Sequence, residues 1–327
     1  MDLVTAFASE QIIHTFVCLQ RLLLENLMSL AGVAARAARD VVQHLDILVH
    51  GVSSEPTGPT GVFHAIPWRR LVEIRLHVRR GMDLAVEEAL AALLAKDPEQ
   101  PRDEPQIAAA IGAQLEHMEL GSMPIGLRRR VRDIVGRVKP QRSCEIGAGI
   151  GHMSAWLLDL WDRSESPAHH DLIEAGGKFG VILTRLIRRY DAEDRVHVKV
   201  GDFEAICAAN DSWKAAHATM DEAAISESPP LYSPYNLIIV DVGSVGQVDA
   251  IRLALSQLSP GGLLLTPEPE VPTTDVGAIS DDGPSTPEQA RVVAFNDWVA
   301  FITKTGQTQP VGFVPLHGGT LVGIVQP

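Results

Sequence analysis

The sequence predicts an α/β protein built on a doubly wound, mostly parallel sheet, and three observations carry that prediction. In the C-terminal part of the chain, short apolar runs of strand length alternate with runs of helical periodicity. The glycine-rich stretch Cys144-Glu145-Ile146-Gly147-Ala148-Gly149-Ile150-Gly151 joins one such strand to the helix-like run Met153 to Leu160. Three further strand-like runs then lead into Glu174, Asp202 and Asp241, which puts three acids at the carboxyl edge, where ligands bind in an open doubly wound sheet.

Each element follows from its own residues. Gly147 and Gly149 permit a tight turn and close approach of a ligand to the backbone, and Gly151 lets the helix start pack against the strand. The second strand, His170-Asp171-Leu172-Ile173-Glu174, ends in a carboxylate roughly 20 to 30 residues downstream of the turn, where a ribose-binding acid belongs. The third, Arg195 to Val200, runs into Gly201-Asp202-Phe203, and the fourth is Asn236 to Asp241. A fifth strand follows Ser259-Pro260-Gly261-Gly262.

The same geometry serves a dinucleotide, so the residue ahead of the first glycine has to discriminate. Here it reads E-x-G-x-G-x-G, with Glu145 leading. A carboxylate beside a pyrophosphate cradled at a helix N-terminus would repel it. S-adenosyl-L-methionine has no phosphate and carries an ammonium and a sulfonium, which an acid favours. The chemistry of the loop therefore points to methyl transfer.

From Met118 to the C-terminus the chain resembles the class I S-adenosylmethionine-dependent methyltransferases, most closely the catechol and caffeoyl-CoA O-methyltransferase family. The resemblance rests on Met118-Glu119-Leu120-Gly121, the Glu145 loop, Ile173-Glu174, Val240-Asp241 and Ser259-Pro260-Gly261-Gly262, then on Val293-Ala294-Phe295-Asn296 and Val314-Pro315-Leu316-His317-Gly318-Gly319. It implies a Rossmann-like sheet of seven strands closed by a C-terminal antiparallel hairpin. It also implies that Glu145, Gly147, Gly149 and Gly151 line the methionine part of the cofactor, that Glu174 holds the ribose hydroxyls, and that Asp202 sits near the adenine, with Asp241 on the same edge. S-adenosyl-L-homocysteine would be the product. Family members also position a catechol through magnesium, using the strand-four Asp, an Asp-Asn pair and a lysine. Only Asp241 remains here: Ser244 stands at the lysine position and Thr266-Pro267-Glu268 replaces the run of the pair. Magnesium demands near-octahedral oxygen ligation, so no metal is expected.

Composition bounds the rest. At 327 residues the chain exceeds one methyltransferase domain of roughly 200 residues, leaving room for a second unit. A formal charge of −13 disfavours nucleic acid and anionic membranes. The basic cluster Arg128-Arg129-Arg130 with Arg132, Arg137 and Lys139 reads as a solvated helix face. Cys18, Cys144 and Cys207 are scattered, which suits buried thiols in a reducing compartment. The apolar region Ile12 to Ala34 is interrupted by His14, Gln20, Arg21, Glu25 and Asn26, so neither a signal peptide nor a membrane span is expected and the location expected is cytoplasmic.

Residues 1–105 have a different texture. Leu3 to Met28 and Ala31 to His50 show apolar residues at three-and-four spacing, Gly51 to Gly61 is a turn region, Pro67 to Lys96 again reads as helical, and Asp97 to Pro105 is the best linker. The expectation is an N-terminal all-helical domain, 1–105, ahead of a methyltransferase domain, 106–327. The wide apolar face of the first helix, from Ile12 to Leu27, suits a homodimer joined there, a lid over the active site, or both. Two long segments, Asp211 to Ser233 and Thr266 to Thr286, read as irregular loops that wall a substrate pocket.

Methyl transfer is an in-line displacement in which most of the catalysis can come from positioning. Candidates for a base are His152, Asp241, Glu268 with Glu270, and His117. Without a magnesium clamp the expected acceptor is a phenol or carboxylate oxygen, an amine, or a nucleophilic aromatic carbon such as indole C3, on a bulky specialised metabolite. Two competing readings stand beside this one. A cofactor-binding protein without catalysis would also have lost the lysine and metal positions. A protein carboxyl methyltransferase acting on isoaspartyl groups shares the Glu-Ile-Gly-x-Gly loop, although only Ser122-Met123-Pro124 approaches its usual Ser-x-Pro motif.

Overall fold

A computed structural model describes residues 84–162, 167–220, 227–273, 275–280 and 283–327. The expected helices before residue 84, and the dimer or lid assigned to them, lie outside the described residues. The elements in chain order are α1 (Leu84–Leu93), α2 (Gln106–His117), α3 (Ile125–Val138), β1 (Arg142–Ile146), α4 (His152–Trp161), β2 (His169–Glu174), α5 (Gly177–Arg189) and β3 (Val196–Val200). They continue as α6 (Phe203–His217), β4 (Tyr235–Val240), α7 (Gln247–Ser256), β5 (Leu258–Pro267), α8 (Pro287–Thr305), β6 (Val311–Leu316) and β7 (Gly319–Val325).

These strands form one seven-stranded sheet in the order β3-β2-β1-β4-β5-β7-β6. β1 to β5 run parallel, while β7 pairs antiparallel with both β5 and β6. Order reverses at β1, which lies between β2 and β4, and this switch point opens the crevice above the carboxyl ends of β1 and β4. The predicted Rossmann-like sheet with its antiparallel closing hairpin is therefore the fold observed. The hairpin turns over His317 and Gly318, with Gly318 at φ 92°.

Parallel strands covered on both faces read as continuous apolar runs, and Leu237, Ile238, Ile239 and Val240 are all fully buried. Alternation then divides them. Leu237, Ile239, Leu263 and Leu265 join the apolar cluster of α1 to α5, which includes Leu90, Leu127, Val131, Trp156 and Leu183. Ile238 and Leu264 lie outside that cluster and are equally buried, and α7 packs on β4 and β5 with α6 and α8 beside it. The end of α1 rests on the closing hairpin at two glycines: a Cβ at Gly312 or Gly323 would come within 2.6 or 2.9 Å of Leu94.

Several expectations change here. The stretch Asp97 to Pro105 is irregular, as its prolines dictate, yet it is tied down and does not behave as a free linker. Arg102 reaches Asp133 at 2.9 Å and Arg132 donates to the carbonyl of Pro101. The basic cluster is likewise not a solvated face. Arg128 and Arg132 are buried, Arg130 donates to the Leu94 carbonyl at 2.9 Å, and Arg137 donates to the carbonyls of Leu93 and Ala95. Guanidinium groups here satisfy the orphan carbonyls at the end of α1. The irregular segment expected from Asp211 starts later, because α6 continues to His217. Between β5 and α8 the loop is held by Gln289, which donates to the carbonyls of Val276 and Ala278 and accepts from the backbone N–H and hydroxyl of Ser285. Cys144 and Cys207 are buried free thiols. Among the described residues no helix is long and apolar enough to cross a membrane.

Candidate active site

The turn between β1 and α4 forms because three glycines occupy left-handed backbone, at φ 84° for Gly147, 56° for Gly149 and 88° for Gly151, a region that costs other L-residues about 1–2 kcal/mol. Two of them are also sterically required. A Cβ at Gly147 would lie 2.4 Å from the Asp241 carbonyl oxygen, and one at Gly151 would lie 2.4 Å from Leu186 on α5. Gly149 differs: a Cβ there meets nothing within 4 Å, so the turn leaves open space at its middle glycine. The backbone N–H groups of Gly147 and Ala148 both donate to the Ile173 carbonyl, at 3.0 and 3.2 Å, which pins the turn to β2.

Glu174 ends β2 and braces the same turn. Its Oε2 accepts from the Gly149 N–H at 2.8 Å and its Oε1 from the Gly176 N–H at 2.7 Å. The carboxylate is thereby fixed beside the open face of Gly149. Glu145 is the penultimate residue of β1 and is 1% exposed. It accepts from the Ser154 hydroxyl at 2.8 Å. Burial, reinforced by the charges of Asp241 and Glu174, pushes its carboxyl up to about 8, with the Ser154 hydrogen bond opposing. Asp241 follows β4 directly, and its N–H donates to the Ile146 carbonyl at 2.9 Å. Burial raises its carboxyl to about 6, against the pull of Arg128. Asp241 and Glu174 thus lie close enough to Glu145 at the switch point for their charges to act on it.

The remaining predicted residues separate. His152, the first residue of α4, is buried, with Nε2 at 3.4 Å from Glu104 and Nδ1 at 3.4 Å from Arg128. Burial and the Arg128 charge lower its pKa. Asp202 is exposed and serves as the N-cap of α6, accepting from the Ala205 N–H at 3.0 Å. Glu268 lies just past β5, half-buried, with its N–H on the Thr320 carbonyl at 2.8 Å. Glu270 and His117 are exposed, His117 in the last turn of α2. Thr266, at the end of the buried part of β5, is fully buried and accepts from Gln247 at 2.8 Å.

Sequence reasoning missed Arg128, Glu104 and Ser154. Arg128 sits in the first turn of α3 and bonds Glu104 at 3.1 Å. The signal was available in the spacing: Arg128, Arg132 and Val135 share one stripe at i, i+4 and i+7, which places both arginines on the buried side.

This sheet order, with an antiparallel final strand and an acid-bearing glycine turn at the switch point, is the Rossmann-like methyltransferase fold. No protein-family model and no curated protein matches the chain. Among solved structures, it is similar to an O-methyltransferase from Bacillus cereus in complex with S-adenosylhomocysteine, at 16% identity over 76% of this chain and 99% of that one, with a TM-score of 0.46. It is similar also to the O-methyltransferase TomG from Streptomyces achromogenes, involved in tomaymycin synthesis and bound to S-adenosylmethionine (15% identity, 76% and 98% covered, TM-score 0.47). A putative caffeoyl-CoA O-methyltransferase from Staphylococcus aureus matches at 14% identity, with 79% and 99% covered and a TM-score of 0.42.

Proposed function

We propose that this protein is an S-adenosylmethionine-dependent methyltransferase acting on a small molecule. The observation that carries the reading is the convergence of buried Glu145 and loop-braced Glu174 on a glycine turn whose middle residue leaves open space. A cofactor of this kind needs acids for an ammonium and for ribose hydroxyls, and no phosphate cradle. The residues present fit it: Glu145 and the turn glycines would hold the methionine end and Glu174 the ribose. When bound, it supplies an electrophilic methyl group for in-line displacement.

The protein's part is to hold the acceptor about 3 Å from that methyl on the correct axis and to exclude water. Asp241, recessed at the same edge with its carboxyl near 6, is suited to take the acceptor's proton at neutral pH. His152 is engaged by Glu104 and Arg128 and fits a structural part better. Metal independence rests on Ser244 and on Thr266, whose hydroxyl is committed to Gln247. A bulky aromatic metabolite, methylated on O, N or C, is the acceptor class we propose, with a cytoplasmic location and a homodimer joined through the segment before residue 84 as further parts of the proposal. Purified protein incubated with isotope-labelled cofactor and a metabolite extract should yield a labelled small product, and turnover should survive exhaustive chelation. Absence of any product despite cofactor binding would favour the non-catalytic alternative; label on protein carboxyls would favour the isoaspartyl one.

A further inference from the structure

Burying a guanidinium is costly unless its donors are satisfied, and Arg128 is buried at the edge of the proposed cofactor site with one donor to spare. Its Nη1 serves the Met123 carbonyl, with the Ser122 hydroxyl at 3.3 Å, and its Nη2 donates to Glu104 at 3.1 Å. Its Nε is enclosed and has no acceptor among the described residues. The group lies close enough to Asp241 for the two charges to act on each other, and it is 3.4 Å from His152, the residue that follows the glycine turn.

Around the turn three acids gather: Glu145, Glu174 and Asp241. Such a cleft welcomes the ammonium of a methionine end and repels its carboxylate, so a zwitterionic ligand needs a cation on the opposite flank. Glu104 already demonstrates that a carboxylate seats on this guanidinium. It does so through one oxygen, and its side chain is 24% exposed against 7% for Arg128. The Nε and Nη2 donors form one planar fork, which a carboxylate can engage at both nitrogens; Glu104 uses one.

Resting on the methyl-donor reading above, we infer that Arg128 is the counter-ion for the cofactor's carboxylate, and that Glu104 holds the guanidinium in place until that carboxylate displaces it. Glu145 and Arg128 then divide the amino-acid end of the cofactor between them, ammonium to one and carboxylate to the other.

Calorimetric binding of S-adenosyl-L-homocysteine and of its decarboxylated counterpart tests this directly, without turnover. In the wild-type protein, removal of the ligand carboxylate should weaken binding roughly tenfold to a hundredfold, the range of a charge-assisted pair. In Arg128→Met the two ligands should bind within about threefold of each other. Glu104→Gln, which removes the competitor and spares the buried cation, should tighten the carboxylate-bearing ligand several-fold and leave the decarboxylated one unchanged. Equal wild-type affinities for both ligands, or full discrimination retained in Arg128→Met, would overturn the assignment while leaving the cofactor reading intact. An unchanged affinity in Glu104→Gln would overturn the displacement. Failure of the wild type to bind either ligand would remove the cofactor reading and this one together.

Discussion

Glu145→Gln should make the ligand-free protein more stable and the cofactor complex weaker. Glu145 is 1% exposed, and its carboxyl moves from an ordinary value of 4.5 to about 8. A carboxyl whose folded pKa is raised contributes fully to stability below its unfolded pKa, and that contribution is lost as pH rises through the folded value. The penalty therefore grows between about pH 4.5 and 8 and then levels off. At 1.36 kcal/mol per pKa unit, the loss of stability reaches on the order of 3 kcal/mol at pH 7, where the folded protein still holds the proton that the unfolded chain has released, an upper figure because the amide must also fit the pocket. The glutamine side chain is isosteric with the glutamate it replaces and can keep the Ser154 hydroxyl as a partner. Denaturant or thermal unfolding without cofactor should show Glu145→Gln gaining stability relative to wild type between pH 5 and 8, reaching roughly 5–10 °C in Tm at pH 8. In parallel, cofactor affinity should fall about tenfold to a hundredfold with loss of the charge-assisted bond to the ammonium. A variant less stable than wild type at pH 8, or one whose stability difference does not change with pH, would refute the reasoning.

Three more outcomes follow from the same geometry. Gly147→Ala and Gly149→Ala should separate: the first drives a Cβ to 2.4 Å from the Asp241 carbonyl and should cost at least about 3 kcal/mol in unfolding experiments. The second meets open space, so its cost should stay near 1–2 kcal/mol while cofactor affinity drops more than tenfold; equal losses of stability in the two would contradict the assignment of that space to a ligand. Arg102→Ala leaves the fully buried Asp133 carboxylate without its ion pair and should cost about 2–3 kcal/mol, read as a lower denaturation midpoint. Leu94→Ala opens a cavity over Gly312 and Gly323 and should cost about 2–4 kcal/mol.

The sheet was legible in the sequence because each parallel strand is buried on both faces and so reads as an uninterrupted apolar run, as in Leu237 to Val240. The turn was legible because positive φ demands glycine. The nearness of Glu145 and Glu174 to that turn follows from their position in the sequence, and that of Asp241 from its place after an apolar strand. What escaped are pairings between distant segments. Glu104 looked like linker because proline and acid content describe a backbone without regular structure, and composition does not say whether that backbone is tied to Arg102, Arg128 and Arg132 partners. Arg128 was hidden by its neighbours: in a run of three arginines only helical phase separates the buried one from the exposed ones. Asp202 illustrates the converse, since an acid after a strand is also an acid before a helix, and here the cap is the contact observed.

The seating of α1 on the closing hairpin has a consequence for how this chain comes to be folded. Leu94 is made long before Gly312 and Gly323, the surface it rests on. Contacts of such long sequence separation slow folding, because loop closure must precede any gain from the contact. On the ribosome α1 can meet α3 as soon as both are made, but the side that rests on Gly312 and Gly323 has no seat until β6 and β7 emerge, and it stays open to chaperones or to aggregation until then. A chain stopped before Val311 should keep that side exposed and bind a hydrophobic dye, while the full chain, with its first described helix locked onto its last strands, should not.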